Sequence, residues 1–133
     1  MRYVFRNLSF EAPDELDDQS MIVLVDGDRA ALTVAREPED GPLRGYVDAV
    51  VMELDASMSS YRLETREDRL VGGKSAVLLV QTALSPEGRP VRQRQAYIDM
   101  GGSVLVVTAT SPTEASEHGK ALFERVIATL KVA

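Results

Sequence analysis

The chain has no cysteine, no tryptophan and a single histidine among 133 residues. Without cysteine there can be no disulfide, thiol nucleophile or thiolate metal site. The lone histidine, His118, has Glu114 and Leu122 as its neighbours at four-residue spacing. A metal centre needs several converging ligands, and one Glu–His pair is a weak zinc pattern. His118 therefore reads as a helix-surface residue. No Gly-x-Ser-x-Gly occurs, so there is no nucleophile elbow. Long apolar runs are missing too. The longest span about five residues, far below the ~20 needed to cross a bilayer. The N-terminus, Met1 to Asn7, is interrupted by charge and has no signal-peptide core. A basic excess is also lacking: 15 Lys and Arg stand against 21 Asp and Glu, for a net charge of -6. A phosphate backbone wants a basic face, so no nucleic acid partner is expected. These absences predict a soluble, cytoplasmic protein, not itself membrane-inserted, with no cofactor and no metal site.

Two near-motifs fail on their own requirements. Gly73-Lys74-Ser75 looks like the tail of a phosphate-binding loop, but the position that needs the first glycine is Asp68. The segment also leads into a strand rather than a helix. Asp14, Glu15, Asp17 and Asp18 form an acidic cluster without the central glycine of a calcium loop, and Leu16 interrupts it. Both read as turns. No catalytic residue is assigned, and the chain is expected not to be an enzyme.

What the chain has is apolar sequence on both faces of its strands. Ala76-Val77-Leu78-Leu79-Val80 and Val104-Leu105-Val106-Val107 are unbroken. Short turns flank them, which predicts antiparallel pairing. An antiparallel sheet usually leaves one face wet. Here both faces need cover, which points to a binding protein. Strands are predicted at Leu8–Glu11, Ser20–Asp26, Ala30–Arg36, Ser60–Thr65, Ala76–Leu84, Val91–Asp99 and Ser103–Thr110. The stripe Leu43, Tyr46, Val47, Val50, Val51, Leu54 predicts one helix after Pro42. A second begins near Pro112, with Thr113 as a possible cap. The expected fold is α+β: a mainly antiparallel β-sheet of about six to seven strands with two helices, in one domain over residues 1–133. The two helices are expected to cover one face, leaving the other for a second subunit or a partner.

Gln93, Gln95 and Tyr97 share one strand face. If Gly101-Gly102 is a two-residue loop, Tyr97 lies opposite Val106 and Gln95 opposite Thr108. That face mixes apolar area with amides and hydroxyls. It reads either as an ordinary half-wet sheet surface or as a groove that grips apolar helices. Ala96, Ile98, Leu105 and Val107 form the opposite, fully apolar set, suited to lie under helices.

The segments Pro13 to Ser20, Met21-Ile22-Val23-Leu24, Leu43 with Tyr46-Val47, and Arg94-Gln95-Ala96-Tyr97-Ile98 running to Thr108-Ala109-Thr110 resemble the DcrB-like, PsbP-like fold family. Within it the chain is most similar to the effector-associated (Eag) chaperones of bacterial type VI secretion. One departure is Leu16, where the family often carries tryptophan. The resemblance implies a homodimer whose concave sheets hold the N-terminal transmembrane helices of an effector before export. The expected client-binding residues are Met21, Val23, Val25, Met58, Gln95 and Tyr97. Ile22, Leu24, Leu63 and Ile98 are then expected in the core under the helices. The alternative is a PsbP-like structural or regulatory adaptor for a soluble protein partner.

Overall fold

A computed structural model describes residues 2–5, 8–11, 21–27, 29–39 and 41–131. The elements run β1 (Arg2–Phe5), β2 (Leu8–Glu11), β3 (Met21–Asp26), β4 (Ala30–Pro38), α1 (Leu43–Ser57), β5 (Arg62–Val71), β6 (Lys74–Leu84), β7 (Pro90–Asp99), β8 (Ser103–Pro112), a 3₁₀ turn (Thr113–Ala115) and α2 (Ser116–Thr129). β1 and β2 pair with each other as a two-stranded sheet. The other six strands form one antiparallel sheet in the order β3-β4-β8-β7-β6-β5. Leu8–Glu11 is thus a strand, as its alternation predicts, but it does not edge the main sheet. The acidic segment Asp14–Asp18 lies outside the described residues.

The turns follow from their glycines. Val71 pairs with Lys74 across Gly72 and Gly73, at φ 59° and 78°. Two successive positive φ values suit a tight primed turn whose twist matches the strands, a conformation glycine adopts without cost. Gly101 and Gly102 close the β7–β8 hairpin, and Met100 N–H donates to the Ser103 carbonyl at 2.9 Å. That loop fixes Gln95 opposite Thr108 and Tyr97 opposite Val106, the register expected from the sequence.

The helices differ from the expectation: they lie on opposite faces. α2 packs Phe123 and Ile127 against Leu32, Leu78, Ala96, Ile98, Val107 and Ala109. α1 packs Leu43 and Val47 against Val77, Leu79, Tyr97 and Val104. The cause is visible in β6 and β7, where both alternating sets are apolar and each requires its own cover. α1 sits in the connection from β4 to the far edge strand β5, so it must cross the sheet, and it does so over β6 and β7. α2 leaves the central strand β8 and folds back over the other face. Thr113 does not cap α2. It opens the 3₁₀ turn, and Ala115 holds the cap position without a side-chain bond. The buried guanidinium of Arg94 instead donates to Ser116 O and Oγ, both at 3.1 Å.

α2 comes close to β8 at Gly119. A Cβ there would stand 2.5 Å from Ser111 Oγ and 2.9 Å from Ser111 Cβ. The hydroxyl could rotate away, but the Cβ could not, so the helix must lift. Overpacking of this kind costs about 1–3 kcal/mol. Gly119→Ala is expected to lower the urea midpoint accordingly, despite alanine's better helix propensity of about 1 kcal/mol. An unchanged or raised midpoint would mean that the two elements are not in contact there.

Candidate functional site

The two edges of the main sheet differ in kind. β5 carries Arg62, Glu64, Arg66, Glu67, Asp68 and Arg69, nearly all exposed. Several are tied to neighbours: Arg66 to Asp48 at 2.6 Å, Arg69 to Glu67 at 2.6 Å, and Arg92 to Glu64 at 2.7 Å. Charges along an edge strand discourage pairing with another chain. β3 has no such guard. Its first five residues Met21, Ile22, Val23, Leu24 and Val25 are all apolar and all more than half exposed, Val25 at 68%, and only the last, Asp26, is charged. Ile22 and Leu24 are therefore not the core residues expected. They share α2's face through Val34 and Leu32, but the apolar cluster under α2 reaches no further than β4, and α2 touches β3 where His118 meets Asp26, so Ile22 and Leu24 lie beyond its cover.

Met21, Val23 and Val25 lie on α1's face of the sheet. Three rows run across that face from β6 to β3: Val77, Tyr97, Val106, Ala35, Met21; Leu79, Gln95, Thr108, Thr33, Val23; and Gln81, Gln93, Thr110, Ala31, Val25. The α1 core cluster takes in the β6 and β7 ends of the upper rows. Among the described residues, nothing packs over the β3 and β4 ends. The open part is floored by small side chains on β4 and hydroxyls on β8, between the β3 rim and the α1 wall.

A chain of hydrogen bonds runs along the boundary. Tyr61 OH donates to Gln81 Oε1 at 2.6 Å. Gln81 Nε2 donates to Gln95 Oε1 at 2.8 Å and Gln93 Oε1 at 3.3 Å. Gln95 Nε2 and Gln93 Nε2 donate to Thr108 Oγ1 at 3.2 Å and Thr110 Oγ1 at 3.3 Å. Tyr97 OH donates to Gln95 Oε1 at 2.7 Å. Burial pushes the Tyr97 and Tyr61 phenols above the ordinary tyrosine range; for Tyr97 its neighbours Tyr46 and Tyr61 add to this, and for Tyr61 the Asp55 charge does. Both therefore stay protonated at neutral pH, and the direction of donation is fixed from the phenols through the amides to the threonines. Such a network rigidifies its members when every group is satisfied.

A different pair sits where β4 runs into α1. Burial, and then the adjacent Asp99 carboxylate, raise the Glu39 carboxyl above its usual range, and its Oε2 is buried without a partner among the described residues. A carboxyl raised in the folded state gives its full contribution below its unfolded value, and that contribution is lost as pH rises through the folded one. Glu39→Gln is thus expected to raise Tm near pH ~8 and to leave it unchanged near pH ~4. Equal shifts at both pH values would rule out ionisation as the cause.

The DcrB family profile matches residues 8–129. The chain belongs to the DcrB family. This DcrB-family protein is 25% identical over 135 residues to Effector EagT6 of Pseudomonas aeruginosa strain PAO1, covering 96% of this chain and 93% of that one. The crystal structure of PA94 from Pseudomonas aeruginosa, a protein of unknown function, is also 25% identical. It superposes with a TM-score of 0.84, covering 100% of this chain and 96% of the other. Two more distant structures share the fold. LpqN of Mycobacterium tuberculosis has a TM-score of 0.56 at 18% identity, covering 90% and 79%. PsbP of the cyanobacterium Synechocystis has 0.51 at 16%, covering 97% and 89%. The α+β fold is therefore PsbP-like.

In the DcrB-family chain the six residues singled out from sequence fall in four settings. Met21, Val23 and Val25 form the exposed rim, and Gln95 lies half-buried at the inner boundary. Tyr97 is not open. It is 2% exposed, lies under α1 with its ring 6.1 Å from that of Tyr46, and reaches the face only by holding Gln95. Met58 ends α1, half-buried, beside the segment where the Ser59 carbonyl accepts Leu84 N–H at 2.9 Å. Leu63 packs with α1, across the sheet from Ile98, because the register shifts between Leu63 and Thr65 and reverses the side-chain parity of β5. Gln81 was missed. It is 1% exposed and is the hub of the amide chain. Its place opposite Gln93 follows from a five-residue connection, with Leu84 opposite Pro90; counting back from a four-residue Pro86–Arg89 turn would set it opposite Arg94, so the sequence carried no clear signal for it.

An open cleft of about 540 Å³ lies elsewhere, lined by Leu43, Arg44, Asp68, Arg69, Leu70, Ser75, Ala76 and Val77. Its Arg44 and Asp68 pair with each other at 3.6 Å. Among the described residues, no group of three His, Cys, Asp or Glu could hold a metal, and no helix is long and apolar enough to cross a membrane.

Proposed function

We propose that this protein is an effector-associated chaperone of the type VI secretion kind. It acts in the cytoplasm as a homodimer and holds N-terminal transmembrane helices of an effector before export. The observation that carries this reading is the open half of α1's face: an apolar rim, a floor of small and hydroxyl side chains, and a line of oriented amides. A membrane helix in water gains ~25 cal/mol for each Å² of apolar surface covered. Its own polar spots are met by Gln95 and Thr108, as polar side chains meet between helices inside a bilayer. The relative named Effector EagT6 supports the secretion context. The unguarded β3 edge supports the second copy, because a row of exposed apolar residues beside unpaired backbone groups invites another strand. The role is binding rather than catalysis, and it needs no nucleotide.

The test is co-expression with an effector segment that carries N-terminal membrane helices. The segment should stay soluble and co-purify, and the free protein should have twice its 14.5 kDa chain mass by light scattering. A segment that is insoluble whether or not the protein is present would overturn the reading. A soluble, polar partner captured instead would favour the adaptor.

A further inference from the structure

We infer that His118 is a positioning residue for the client rim, fixing the tip of the β3–β4 hairpin to α2 through Asp26. The inference rests on the chaperone reading for its functional half only.

β3 needs such a fixture. Among the described residues of one protomer it pairs with β4 alone in the main sheet, and the side chains from Met21 to Val25 are mostly exposed, so packing within the protomer does little to hold it. At its last residue, Asp26 Oδ2 lies 2.5 Å from His118 Nε2. The same carboxylate accepts from Arg29 Nη2, at 3.2 Å to Oδ1 and 3.4 Å to Oδ2, and Arg29 N–H donates to the Asp26 carbonyl at 3.1 Å. Asp26 therefore closes the turn with one set of bonds and reaches α2 with the other. The two residues are 92 positions apart in the chain. α2 is a firm anchor, since Phe123 and Ile127 are buried in the core and Gly119 abuts Ser111. The bond from His118 is also the largest influence holding the Asp26 carboxyl below its ordinary range. The clasp ties an otherwise loosely held rim to the most firmly packed helix, and the rim carries Met21, Val23 and Val25.

Three full-length variants test this: His118→Ala, His118→Gln and Asp26→Asn. Alanine keeps the helix and removes the donor, whereas glutamine keeps a donor of similar reach. In the absence of client, His118→Ala should speed amide exchange in β3 and β4 by about two- to five-fold, the size expected for losing a half-exposed hydrogen-bonded pair. Amides of β6 and β7 should be unaffected. Retention of a co-expressed membrane segment should fall, and His118→Gln should restore both readouts. Asp26→Asn in the His118→Ala background should add little further change. Unchanged β3 exchange in His118→Ala overturns the clasp. So does a rise spread equally over β6 and β7. Full client retention despite a loosened hairpin overturns its role in binding. If the unaltered protein retains no segment, the chaperone reading fails while the exchange data still decide the clasp.

Discussion

Val23→Asp is expected to abolish retention of a membrane-helix client while leaving the fold intact. Val23 is at the centre of the β3 rim, 53% exposed in the free protein. An aspartate there stays hydrated until a client arrives, so the loss of stability is limited to strand propensity, about 1 kcal/mol or less. Docking an apolar helix over it strips water from an unpaired carboxylate. After relaxation that penalty is still several kcal/mol, and each 1.4 kcal/mol is ten-fold in affinity. Binding should therefore weaken by at least about a hundred-fold. Met52 provides the control. It is 74% exposed on α1, off the helix stripe that packs on the sheet. Met52→Asp should leave capture unchanged. Pull-down of a co-expressed segment, with circular dichroism of each variant, separates the two outcomes. Equal loss from both substitutions would point to a general effect of charge rather than to the rim.

Gln81→Leu is expected to cost stability and capture together. Gln81 is buried, accepts from Tyr61 and donates to Gln93 and Gln95. Leucine fills the space but leaves Tyr61 without its acceptor and Gln93 Oε1 without its Gln81 donor. Leaving a buried polar group unmatched costs about 1–3 kcal/mol. Gln95 retains Tyr97 as a donor, yet loses the bond that aims its amide at Thr108. Urea denaturation should show the loss of stability, and client retention should fall even in conditions where the variant is fully folded. Gln95→Ala should differ. Its site is half-open, so water can reach the groups it frees, and capture should fall with a smaller change in stability. If Gln81→Leu is as stable as the unaltered chain, the amide chain is not the structural unit described.

Much of this was legible in the sequence, for local reasons. Paired glycines announced the β7–β8 hairpin, and with the two-residue period of a strand they set Gln95 opposite Thr108. The same period put Met21, Val23 and Val25 on one face of their strand, and the family resemblance joined that face to Gln95. Helix α1 could be read from its apolar stripe after Pro42. What was not legible depends on partners distant in the chain. Both faces of β6 and β7 are apolar, which calls for cover but does not say which helix goes where. The alternation predicted a strand only to Thr65, leaving out Arg66 to Arg69. They are instead an edge strand, with Arg66 bonded to α1 and Arg69 to α2. The register shift after Leu63 left no local mark, so Leu63 was assigned to the wrong side. His118 read as a surface residue because its partner, Asp26, is on the far strand.

The central claim is that a foreign apolar helix lies on the open half of α1's face. Photo-crosslinking tests it most directly, with the reactive side chain placed at Thr33 on the floor or at Met52 on the outside of α1, each in the complex with a co-expressed membrane segment. The account predicts strong labelling of the segment from position 33 and little from position 52. Labelling from 52 with none from 33 would contradict it.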